Sequence, residues 1–108
     1  MTRESTLRQR LVLGAPDLIA EVYLYPADEG GRRSPIGFGW GCPCSSTNDA
    51  PVEGWDGFPL LQSEMIPGER RTLGFVFLSG AEATSALTGN DKFYLWEAGV
   101  IGEACIIC

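Results

Sequence analysis

From Ile19 to Tyr25 the chain alternates, with Ala20, Val22 and Leu24 on one side and Glu21, Tyr23 and Tyr25 on the other. A period of two marks a half-buried strand. The period returns at Thr72–Leu78, where Leu73, Phe75 and Phe77 share one face and Thr72, Gly74, Val76 and Leu78 the other. It returns again in "KFYLWEAGVIGEACIIC", which predicts a hairpin of two strands with "EAG" near its tip. Between these lies "IGFGWGCPC", a glycine-rich strand with Gly37, Gly39 and Gly41 stripping one face of side chains. "SSTNDAPVEGWDG" reads as a polar loop, "FPLL" as a short strand, Pro67–Gly68 as a turn and "AEATSAL" as a helical turn. "PADEGGRRSP" is dense in turn formers, and its paired glycines tolerate positive φ. About six strands separated by turns predict an all-β barrel or sandwich.

Composition narrows this picture. A chain of 108 residues suits one domain, with residues 1–17 as a lead-in and 18–108 as the β body. Fourteen acids against eight bases give a net charge of −6, which disfavours phosphate backbones. The arginines do gather, at Arg3, Arg8 and Arg10, at Arg32 and Arg33, and at Arg70 and Arg71. Histidine is absent, which removes the commonest general base and metal ligand and any Ser-His-Asp or Cys-His pair. No apolar run reaches the length of a membrane span, and "LVLGA" is too short for a signal-peptide core. The expectation is a cytoplasmic protein without membrane contact, whose four cysteines are free thiols.

The order of motifs adds a resemblance. "AEVYLYPADEGGRRSP", "GWG", "EMIPGERRTLGFVFL" and "KFYLWEAGVIGEA" follow one another in a way that resembles the C-terminal β-barrel domain of translation elongation factor Tu. The positions that carry it are Glu29, Gly30, Gly31, Arg32, Ser34 and Pro35; Gly39 and Trp40; Met65, Pro67, Gly68 and Glu69; and Phe93, Leu95, Glu97, Gly99, Gly102 and Ala104. The resemblance spans roughly residues 18–107 and implies an all-β fold, a closed six-stranded antiparallel β-barrel. It also implies that "DEGGRRSP" connects the first two strands. It does not extend to nucleotide chemistry, because no G-x-x-x-x-G-K-[ST] loop occurs and no GTP site is expected. Two of the family's basic positions are Gly41 and Trp96 here, which weakens the case for RNA.

Candidate chemistry is sparse. Cys42, Cys44, Cys105 and Cys108 make a C-x-C and a C-x-x-C, a pattern zinc could use. On a strand, however, residues three apart face opposite ways, so semi-buried free thiols are the simpler reading and no metal or other cofactor is expected. Glu97 and Glu103 flank the last hairpin and could form an acid–base pair only if a pocket joined them. The aromatic pattern says more. If Phe93 and Leu95 point inward, Tyr94 and Trp96 point outward, and Trp40 joins them as a large apolar residue needing cover. That cover is either the lead-in segment, through Leu11 or Leu13, or another protein chain, identical or different. The expectation is a stand-alone, non-enzymatic binding module with Trp40, Tyr94 and Trp96 as its protein-contact surface. The alternatives are a cysteine-based zinc or thiol protein and a translation-linked RNA-binding domain.

Overall fold

In the computed structural model, residues 16–49 and 54–107 are described. The first alternating run becomes β1 (Leu18–Leu24), with every second side chain buried. Next come β2 (Cys42–Ser45), β3 (Trp55–Pro59) and β4 (Arg70–Phe77). Helix α1 (Ala81–Thr88) precedes the hairpin of β5 (Lys92–Trp96) and β6 (Val100–Ile106). The strands close in the order β1-β4-β3-β2-β5-β6, each pair antiparallel, and β6 returns to β1. The protein is therefore all-β, a closed six-stranded antiparallel barrel with one short α-helix among the described residues. Closure removes the unpaired edges that invite aggregation.

Inward positions fill the cylinder. Phe75 stacks on Phe77 at 5.9 Å between ring centroids, and Phe93 meets Phe75 edge-on at 5.3 Å. Ala20, Val22, Leu24, Cys44, Leu95 and Ala104 complete this interior. Each large side chain buried there contributes roughly 1.5–3 kcal/mol. Helix α1 turns Ala83 and Leu87 into the same core. Outside the wall, Phe58, Leu60 and Val76 form a satellite cluster against Phe38. The outer faces of β3 and β4 are thus partly covered by the β1–β2 connection.

Antiparallel order sends the connections 25–41, 60–69 and 97–99 to one end of the barrel. "DEGGRRSP" lies in the first of these. It joins β1 to β2, which are not neighbours, so it is a crossover along the rim rather than a hairpin turn. A 3-10 turn at Ala27–Glu29 ends on Gly30 in the left-handed region, at φ +90. A Cβ on Gly31 would stand 1.8 Å from the Tyr25 carbonyl oxygen. One glycine is required by conformation and the other by space.

Two expectations are corrected. The strand expected over 36–44 shrinks to Cys42–Ser45, because Gly39 at φ +93 breaks the extended run. Ile36 instead makes an isolated bridge to Met65, tying two rim loops together. Residues Trp55–Gly57, expected in a polar loop, open β3. Trp55 packs on the core there, and Gly57 lets Phe77 and Cys44 close over the backbone.

Candidate functional site

The outer wall of β4, β1, β6 and β5 gathers the side chains that alternation turns outward. Register aligns them in two rows. Arg70, Tyr23, Glu103 and Tyr94 make the first, and Thr72, Glu21, Cys105 and Lys92 the second. Tyr25 lies one step further along β1 and meets Tyr23 edge-on at 5.5 Å.

The wall is held by charge. Arg70 lies over the Tyr23 ring at 4.6 Å and pairs with Glu21 at 3.3 Å. Lys92 lies over the Tyr94 ring at 5.6 Å and pairs with Glu103 at 2.6 Å. The Tyr25 hydroxyl donates to the other Glu103 oxygen at 2.8 Å. The hydrogen bond from Lys92 holds the Glu103 carboxyl below its ordinary range, and the same bond holds Lys92 above its own. Burial first, and then the bond to Glu103, pushes the Tyr25 phenol well above its ordinary value of 10.0. Two cations and two carboxylates leave the wall neutral within a chain of net charge −6.

The rim beside this wall is locked by arginines. Arg32, from the paired-glycine segment, bonds Glu97 of the β5–β6 turn and the Ser34 carbonyl and hydroxyl, and lies 5.5 Å from the Trp40 ring centroid. Arg71 donates to Glu69 and to the carbonyls of Ser63 and Glu64, both at 3.0 Å. The bond from Arg71 lowers the Glu69 carboxyl. Arg32 and Arg71 thus tie the rim loops together. Glu97 and Glu103 are engaged by different cations and do not form an acid–base pair.

Of the three residues expected at a contact surface, Tyr94 stands half-buried on the wall. Trp40 is half-buried in the rim, packed on the core beneath Arg32. Trp96 is buried at 7% exposure, and its indole N–H donates to the Thr47 carbonyl at 3.2 Å. The expectation that it stands open to a partner is therefore corrected. The register shifts between Leu95 and Trp96, and Thr47, just after β2, holds the indole through its carbonyl. The structure does not bring Cys105 together with Cys42 and Cys44. Cys42 and Cys44 are buried inside the barrel, while Cys105 is exposed on the outer wall; Cys108, Leu11 and Leu13 lie outside the described residues. Burial pushes the Cys44 thiol up, away from the thiolate a metal would need. Among the described residues no group of three His, Cys, Asp or Glu is placed to hold a metal ion. Among them, too, no helix is long and apolar enough to cross a membrane.

Sequence reasoning missed Tyr23, Tyr25, Arg70, Lys92 and Glu103 as a group. The outward parity of each was visible, but not the strand order that makes them neighbours. These features define a closed antiparallel barrel with one ion-laced tyrosine wall. No family model matches the sequence, and no curated protein matches it.

Proposed function

We propose that this protein is a non-enzymatic binding module that acts through protein–protein contact on the outer β4–β1–β6–β5 wall. The observation that carries the reading is the set of three partly exposed tyrosines, each held by a neighbouring charge or ring. An aromatic side chain already fixed in one position loses little entropy on binding and still presents apolar area with a polar tip. The wall's neutrality supports the same role, since it spares a partner the repulsion of an acidic chain. The ordered motifs resembling the C-terminal barrel of elongation factor Tu fit a domain that works by docking rather than by chemistry.

Affinity capture tests this. Wild type and a Tyr23→Ala/Tyr94→Ala variant, both checked for folding by circular dichroism, are immobilised and their bound proteins quantified by mass spectrometry. The reading expects the specific partners to fall by roughly tenfold or more on the variant, as for loss of a hot-spot aromatic. Equal capture by both proteins contradicts it.

A further inference from the structure

Resting on that reading, we infer that the partner seats an uncharged peptide segment in a groove at the β4 edge of the wall, with an apolar side chain against Pro16, Ile19 and Leu60 and backbone amides on Gln62 and Thr72. The groove measures about 710 Å³, a size typical of sites that hold small ligands. Its low floor comes from Gly74, which stands opposite Ile19 in the β1–β4 ladder and leaves the outer face of β4 without a side chain there. Pro16 and Leu60 therefore lie close to the backbone: a Cβ on Gly74 would stand 2.8 Å from the Pro16 Cβ and 3.5 Å from the Leu60 Cδ1. Both flanks are fixed to β4. The Leu60 N–H donates to the Gly74 carbonyl at 2.8 Å, and the N–H of Asp17, next to Pro16, donates to the Phe75 carbonyl at 2.8 Å. The groove is thus shaped before a partner arrives, which keeps the ordering cost of filling it small.

Charge selects the class of occupant. Arg71 lines the groove, but its guanidinium is fully engaged. Nε and Nη2 donate to Glu69, Nη1 to the Ser63 carbonyl and hydroxyl, and Nη2 also to the Glu64 carbonyl. These acceptors match the five N–H donors of the fork. A carboxylate or phosphate would find no N–H left there, and it would have to approach a chain of net charge −6. A cation is no better served, since none of the described residues lining the groove is acidic. The remaining polar side chains are the exposed Gln62 carboxamide and Thr72 hydroxyl, and each both donates and accepts. A peptide group presents the same combination, one donor and one acceptor, and its side chain supplies apolar area for the floor. Thr72 also stands in the second row of the wall, beside Glu21, so groove and wall form one continuous surface.

Titration of the full chain with N-acetyl-Leu-Leu-amide, followed by backbone amide NMR shifts, tests this. The same dipeptide ending in a free carboxylate serves as the charged control. Wild type is compared with Gln62→Ala and Thr72→Val, substitutions at exposed positions that leave the barrel interior untouched. Shifts should centre on Ile19, Gln62, Thr72 and Gly74, with a dissociation constant of roughly millimolar order for so small a probe. Each substitution should weaken binding about fivefold, the size of one hydrogen bond. The free acid should bind more weakly than the amide. No shift at roughly 10 mM probe, shifts centred elsewhere, or binding indifferent to both substitutions overturns the groove. A free acid that binds as tightly as the amide overturns the uncharged class. A silent groove beside a tyrosine variant that loses its partners overturns this inference alone and leaves the wider reading standing.

Discussion

Trp96→Phe separates a structural tryptophan from a contact tryptophan. The substitution keeps an aromatic ring but removes the indole N–H that donates to the Thr47 carbonyl at 3.2 Å. Loss of that hydrogen bond costs ~0.5–1.5 kcal/mol. The indole's extra ring atoms are buried at 7% residue exposure. At about 0.8 kcal/mol per buried methylene equivalent, their loss adds ~1–2 kcal/mol. The total is ~1.5–3.5 kcal/mol, a substantial part of the stability of a small domain. With a urea slope of about 1–1.5 kcal/mol/M, the midpoint should fall by ~1–3.5 M. Far-ultraviolet circular dichroism in urea measures the midpoint, and sedimentation velocity at constant protein concentration measures association. The structure requires the midpoint to fall while association of the folded protein stays unchanged. An unchanged midpoint with weakened association would refute the reasoning, because the ring would then be an exposed contact and not a tie between β5 and the β2–β3 connection.

Glu103→Gln should destabilise the protein by about 0.5–1 kcal/mol at pH 7, a surface-pair magnitude. Because Lys92 lowers the Glu103 carboxyl, that contribution is present above the ordinary carboxylate range and lost as pH falls through the lowered value, so urea midpoints of variant and wild type should converge as pH falls below the ordinary carboxylate range. Tyr25 gives the opposite limb. Its raised phenol stabilises fully below pH 10.0 and loses its effect as pH rises beyond, because the unfolded chain ionises first; Tyr25→Phe should flatten the alkaline fall in stability. Gly31→Ala places a Cβ 1.8 Å from backbone oxygen and should cost ~1–3 kcal/mol by thermal or urea unfolding. Phe93→Ala, in the centre of the three-ring core, should cost ~3–5 kcal/mol in the same assays.

The parts of the fold legible in the chain are those where one face is buried and the other wet. β1 shows this, and alternation also names the inward residues of β4 as Leu73, Phe75 and Phe77, though Val76 on its outer face is buried against Phe58 and Leu60. β3 was illegible because its five residues include a glycine and a proline, and its place is set by pairing to β2 and β4 rather than by its own pattern. Trp96 shows a different limit. Parity reports which side of the wall a residue leaves from, but not that a segment 49 residues earlier returns to cover it. The tyrosine wall was half legible. Tyr23, Tyr25 and Tyr94 could each be read as outward, yet the bridge from Tyr25 through Glu103 to Lys92 depends on β6 lying between β1 and β5. Local spacing carries no information on that order.

The most direct check on the tyrosine wall is quantitative capture of protein partners by wild type beside the folded Tyr23→Ala/Tyr94→Ala variant. The account predicts that specific partners fall by roughly tenfold or more on the variant. Equal capture by the two proteins would contradict it.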